Sequence, residues 1–192
     1  MDRNSPVSQG YKLESQIREA FGRITYTQTC HEKIIRRLLH YNNYIKIWQI
    51  ILSSITTGSF IVTILSNEIL SGIIGTILSL FLLILNAYAK NFELIETAQK
   101  HQNASDLLWK IREEYVSLLT DFDLLPPEDI MTKRDELQNR VAAVYSNSPR
   151  TDAKSYKQAQ KVLKTDEEQT FSEKEIDLML PNSLRRSKED KN

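Results

Sequence analysis

The sequence predicts an all-α integral membrane protein. It is a two-helix transmembrane hairpin whose helices extend into a cytosolic helical stalk, followed by a helical tail. Three observations predict this. Two apolar runs, Ile47–Leu65 and Ile69–Ala89, follow one another with only Ser66, Asn67 and Glu68 between them. Each run is about 20 residues long, the length of helix that crosses roughly 30 Å of hydrocarbon. Outside the runs, apolar residues recur at steps of three and four, which marks one face of a helix. The 192-residue chain carries only 5 Gly and 5 Pro to interrupt such helices. Its mean hydropathy of −0.39 averages two greasy spans with polar flanks.

Residues 1–10 are polar and are expected to be disordered. They lack the apolar core of a signal peptide. Residues 11–46 form a helix leading into the membrane. Its face is Leu13, Ile17, Phe21, Ile24, then Ile34, Leu38, Tyr41 and Ile45. The polar middle, Thr25 to His31, thins that face, and Gly22 is expected to bend or interrupt the helix. No Pro separates this helix from the first span, 47–66.

The first span holds ten Ile, Leu, Val or Phe residues and the second, 69–89, holds twelve, so the second inserts more firmly. Residues 67–68 are the external turn, too short to carry a domain. Lys33, Arg36, Arg37 and Lys46 precede the first span, Lys90 follows the second, and no basic residue lies between them. The positive-inside rule then sets both termini in the cytosol. Tyr41, Tyr44 and Trp48 mark the interface on the first helix, and Tyr88 and Phe92 on the second. Lys46 and Lys90 snorkel at that level.

Two faces inside the membrane are candidate sites. Ser71, Gly75 and Ser79 recur at four-residue spacing with Gly72 alongside, a small-residue face that permits close helix packing. Ser53, Thr56, Ser59, Thr63 and Ser66 fall on one face of the first span within roughly 140°, at 100° per residue. These hydroxyls have two readings. They line water in an assembled pore, or they bond back to their own carbonyls and pack on the neighbouring helix. A hairpin supplies only two helices, so a pore requires a homo-oligomer. Glu68 would then form an acidic ring at its outer mouth.

Residues 90–125 continue the second span as a helix with Phe92, Ile95, Ala98, Gln102, Ser105, Leu108, Ile111, Tyr115, Leu118 and Phe122 on one face. It is expected to pack on the first helix as an antiparallel stalk. Trp109 lies off that face and is read as a core or interface residue, or as a partner contact. Pro126 and Pro127 stop the helix. The helical region 128–181 contains a helix from Glu128 to Tyr145, a turn at Ser146 to Pro149, and a polar helix from Asp152 to Lys164. A short helix follows at Glu173 to Leu180, opened by a Ser172/Glu175 capping box. It either folds back on the stalk or docks a partner. Residues 182–192 are a charged, disordered tail.

Chemistry is absent from this pattern. His31-Glu32-Lys33-Ile34-Ile35 begins like a zinc-protease helix, but Ile35 stands where the second imidazole is required. His31, His40 and His101 are scattered and read as surface or interface residues. The single Cys30 cannot form an internal disulfide. There is no phosphate loop and no nucleophile elbow. No catalytic, cofactor or metal residue is assigned, and no enzyme is expected. The 25 basic and 25 acidic residues cancel, so no direct nucleic-acid binding is expected.

The hairpin turn SNE with its flanking spans, and the tail FSEKEIDLMLPNSLR, carry a resemblance to a known family. The tail residues are Phe171, Glu175, Ile176, Asp177, Leu180, Pro181, Leu184 and Arg185. The layout, from about Leu13 to Arg185, resembles the SLATT domain, the SMODS and SLOG-associating two-transmembrane effector domain. The subfamily found beside reverse transcriptases is the nearest. The resemblance implies an effector of prokaryotic antiviral defence that permeabilises the inner membrane on a nucleotide signal or a partner's cue. A nucleotide-signal synthetase or a reverse transcriptase is the implied partner enzyme. The alternative is a membrane anchor that tethers a partner enzyme and forms no pore.

Overall fold

The computed structural model describes residues 6–66, 69–166, 171–181 and 185. The elements run α1 (Pro6–Ser66), α2 (Ile69–Phe92), α3 (Leu94–Thr120), α4 (Pro127–Asn147), α5 (Ala153–Lys164) and α6 (Glu173–Met179). No strand occurs among the described residues.

α1 is the spine of the molecule. Its 61 residues reach about 90 Å at 1.5 Å per residue. It packs in turn on α2, α3 and α5. Helix is already present at Pro6, within the segment expected to be disordered. Gly22 does not interrupt it either. Ile17, Ala20 and Ile24 on both sides of the glycine are buried in the stalk core, and that packing outweighs the local propensity cost.

The apolar spans are not core helices. None of the most apolar window of α1 is buried, and only 6% of that in the second span. Lipid is the solvent that satisfies such a surface. The two spans pack on each other as a hairpin. Asn67 and Glu68, between them, lie outside the described residues.

The expected helix over 90–125 is divided from the span above it and ends early. Glu93 adopts φ 39° and ψ 45°, the left-handed region, and breaks the chain between α2 and α3. No Gly or Pro announces this break. α3 ends at Thr120, where Asp121 donates its N–H to the Ser117 carbonyl, and the two prolines come only afterwards. Pro127 instead opens α4 at a first-turn position.

α1, α3 and α4 enclose the stalk core. Ile17 and Ile24, Leu108, Ile111 and Tyr115, and Ile130 and Leu137 are its most buried members. Burying such a side chain contributes about 1.5–3 kcal/mol. Glu114 ties α3 to α4, accepting from Arg140 at 2.7 Å with Lys133 at 3.4 Å. α5 lies on α1 through Ser155, Ala159 and Val162. α6 opens with the Ser172/Glu175 capping box but buries none of its residues. The fold-back onto the stalk is therefore not made. Phe171, Ile176, Leu178 and Met179 stay exposed.

Candidate functional site

Two polar features stand out, one in the membrane and one in the stalk. In the membrane the expected hydroxyl stripe divides between two faces. Ser59 and Thr63 are half-buried at the α1–α2 seam. The Thr63 hydroxyl donates to the Ser59 carbonyl at 2.8 Å and lies 2.7 Å from Ser71 Oγ. Small residues on α2 make room for them. A Cβ at Gly72 would stand 3.3 Å from the Thr63 side chain, and one at Gly75 would stand 3.1 Å from Ser59 Cβ. Gly75 is the buried residue of α2, whereas Ser79 is exposed. Thr56 is half-buried, and its hydroxyl has no hydrogen-bond partner among the described residues.

Ser53 faces the other way. It joins Lys46, Gln49, Ser54, Thr57 and Asn86 along an open groove of about 850 Å³ that Ile50, Gly58, Ile61 and Leu82 also line. Gln49 donates to Asn86 at 2.8 Å across the two helices. Ser54 and Thr57 donate to the carbonyls of Ile50 and Ser53. Gln49, Ser54, Thr57 and Asn86 escape a single-helix wheel, because the groove belongs to two helices. Tyr41, Tyr44, Lys46, Trp48, Tyr88 and Lys90 are all exposed at the end of the hairpin nearest the stalk. Tyr88 stacks on Phe92, with ring centroids 4.2 Å apart. Glu68 lies outside the described residues.

The stalk feature lies where the sequence pattern is weakest. Gln28, Thr29, Cys30 and His31 are all buried, because α1 is flanked there by both α3 and α5. The histidines were expected to be scattered surface or interface residues; two of the three are not scattered but meet at the α1–α3 interface. His31 and His101 are 2% and 3% exposed, and their Nδ1 atoms are 2.7 Å apart. Two ligands of a tetrahedral zinc ion would stand roughly 3.3 Å apart, so this spacing is that of a hydrogen bond in which one ring donates and the other accepts. Among the described residues no group of three or more His, Cys, Asp or Glu is arranged to hold a metal. His40 is exposed, edge-on to Tyr44. Trp109 is 49% exposed, so it is not a core residue.

Every other polar couple of this layer also has α1 as one partner. Ser105 of α3 donates to Glu32 at 2.6 Å. Arg37 pairs with Asp152, whose carboxylate also accepts the Ser155 N–H at 2.7 Å and so caps α5. Cys30 meets Ser155, and Tyr26 stacks on Tyr156 with centroids 5.7 Å apart. Tyr145 of α4 donates to Thr27 at 3.3 Å.

The electrostatics follow from burial. Burial, and then the neighbouring His101, push the His31 imidazole down to about 4. Burial lowers His101 as well, with Asp152 and Arg37 acting on it in opposite senses. Burial raises the Cys30 thiol, which keeps it an unreactive neutral group. Burial also works to raise Asp152, but the Ser155 N–H and the Arg37 guanidinium outweigh it and hold the carboxyl below its ordinary value. The layer is therefore two neutral imidazoles beside one ion pair. Tyr26 Oη, Gln28 Oε1 and Arg37 Nη1 are buried there without a hydrogen-bond partner among the described residues.

None of the described tail residues of the resemblance is buried. Phe171, Glu175, Ile176 and Pro181 are exposed, and Asp177 and Leu180 are half-buried. Arg185 donates to the Leu180 carbonyl at 2.9 Å. Leu184 lies outside the described residues.

Comparison with known proteins agrees with this architecture. No characterised protein and no solved structure matches the chain. One family does match, described as SMODS and SLOG-associating 2TM effector domain family 4, over residues 13–175. The match takes in α1, the hairpin and the bundle, and it ends within α6. The chain belongs to this family of two-transmembrane effector domains, which implies an effector role in defence-type systems.

Proposed function

We propose that the protein is a gated, oligomeric pore of a prokaryotic antiviral system that permeabilises the inner membrane when the cytosolic stalk receives a nucleotide signal or a partner's cue. The observation that carries this reading is the groove of Gln49, Ser53, Ser54, Thr57 and Asn86. The Gln49–Asn86 bond uses one donor and one acceptor of two side-chain amides, and each amide has more to satisfy. That remainder lies just inside the level of the Trp48 and Tyr88 interface markers, and against acyl chains there it costs more than against water. Facing the same groove on further copies, it meets water and polar partners. The continuity of α1 from stalk to bilayer supports the coupling, since a shift at the polar layer moves the groove with it.

The test is ion conductance of the full chain in planar bilayers, beside membrane-potential dye in cells that also carry the partner enzyme. Gln49→Leu with Asn86→Leu removes the polar pair and makes insertion easier. The double variant should insert normally and lose conductance at least tenfold. Full conductance would defeat the pore reading. In the same recordings Glu68→Gln should abolish cation preference if a ring of Glu68 carboxylates forms the outer mouth. The exposed apolar side chains of α6 favour a second reading, a tether for a partner enzyme. A tether leaves the membrane potential intact with and without that partner.

A further inference from the structure

Above the buried histidine pair the surface opens into a cleft of about 410 Å³. Thr27 and His31 of α1, Tyr145 of α4, and Ser148, Arg150 and Thr151 of the α4–α5 loop line it. Three things about this cleft point to a ligand. Arg150 is exposed on its rim and pairs with no carboxylate among the described residues. The acid nearest in sequence, Asp152, is already committed to Arg37 and to the α5 cap. The buried His31 forms part of the wall, with Nδ1 engaged by His101, so Nε2 is the ring atom left for the cleft.

We propose that this cleft binds the phosphate group of a small phosphorylated molecule. A phosphate presents three strong acceptor oxygens. Arg150 supplies a forked cationic donor, the Ser148 and Thr151 hydroxyls supply neutral ones, and His31 supplies a donor from beneath. The cleft has the volume of a small-molecule site rather than of a bare phosphate, so the group is carried on a larger ligand. The inference deepens the signal-receiving part of the proposed function and rests on that reading for its biological sense.

The histidine pair gives the site a directional element. Two neutral imidazoles joined through Nδ1 have two arrangements. In one, His31 donates from Nδ1 and its Nε2 is a bare acceptor. In the other, His101 donates, and His31 carries its proton on Nε2. Both hold two protons. Conversion passes the shared proton from His31 Nδ1 to His101 Nδ1, while His31 Nε2 takes up one proton and His101 Nε2 releases one. An anion in the cleft repels the first arrangement and selects the second. Binding is thereby felt by α3 through His101, while Arg150 and Thr151 draw the α4–α5 loop and its Arg37–Asp152 tie toward α1.

The experiment is a calorimetric titration of the full chain in detergent micelles with inorganic phosphate, adenosine monophosphate and sulfate. It is paired with nitrogen NMR of ¹⁵N-histidine-labelled protein. The monophosphate should bind saturably and more tightly than inorganic phosphate, with sulfate weaker than both. Arg150→Ala should weaken binding about tenfold or more, the loss of one charge-assisted pair. Arg18→Ala, an exposed arginine elsewhere on α1, should leave it unchanged. On binding, His31 Nε2 should move to the protonated-nitrogen range. No saturable binding, equal binding by Arg150→Ala, sulfate as tight as phosphate, or an unmoved His31 signal would overturn the site. None of these readouts involves permeability, so a protein that binds but does not conduct refutes the pore alone.

Discussion

At the scale of single residues, the buried imidazoles make stability depend on pH in a definite direction. The unfolded His31 titrates at the ordinary imidazole value of about 6.5 and the folded one at about 4. Between those values the unfolded chain binds the extra proton, so stability falls as pH falls. The penalty starts below about pH 6.5, is complete near pH 4, and amounts to about 3 kcal/mol at 1.36 kcal/mol per pKa unit. His101, also lowered, adds in the same sense. Thermal unfolding in detergent at pH 7.5 and 4.5 checks this. The wild type should lose several degrees more than His31→Gln, and an equal loss in both would exclude the pair as the cause. None of this was legible in the sequence. His31 and His101 are 70 positions apart, each sits in a polar stretch, and periodicity scores polar residues as surface. They are buried because α3 and α5 both close on α1 at that level, a tertiary fact that outweighs local pattern.

Among the elements, the two helices that leave the membrane are built differently. α1 passes from stalk to bilayer without a break, whereas the other passage is interrupted at Glu93. A non-glycine residue with φ 39° is held in a conformation that costs roughly 1 kcal/mol. The strain lies at the membrane end of α3, next to Ala98 and His101, which pack in the stalk. It lets α2 follow the hairpin while α3 follows the bundle. Glu93→Gly should relieve it and raise stability by about 0.5–1 kcal/mol, offset in part by the greater freedom of glycine in the unfolded chain. Chemical unfolding in mild detergent measures the change, and a loss instead of a gain would show that the Glu93 side chain matters more than its backbone. The helices themselves were plain in the sequence, since steps of three and four place Ile17, Leu108, Ile111 and Tyr115 correctly inside. The break was not, because glycine, proline and asparagine are the usual signals of it and Glu93 is none of these. The hydroxyl stripe shows the same limit. One helix wheel grouped Ser53 with Ser59 and Thr63, but α2 lies over only part of that arc, so the seam takes the last two and leaves Ser53 to the groove.

At the scale of the whole molecule, burial divides the chain into parts that hold the fold and parts that do not. The stalk core runs from Ile17 to Val144, and α5 adds Ser155, Ala159 and Val162 to the face of α1. α6 adds nothing to it, although its capping box is complete. A seven-residue helix is too short to be stable in water on propensity alone, and its apolar side chains face solvent. Removal of residues 171–192 should therefore leave the unfolding midpoint of the stalk unchanged to within about 0.5 kcal/mol, the range of surface changes. Leu108→Ala, at a fully buried position between α1 and α4, should cost about 2–5 kcal/mol by opening a cavity. Circular dichroism melts of the two variants beside the full chain make the comparison. A truncation that destabilises the stalk as much as Leu108→Ala does would place α6 in the fold. A truncation that leaves the melt unchanged but abolishes toxicity in cells would assign α6 to a partner or to a second copy. That second outcome is the one the exposed Phe171 before α6 and Ile176, Leu178 and Met179 within it lead us to expect, because apolar side chains on a segment that stabilises nothing in its own chain leave water only when another surface covers them.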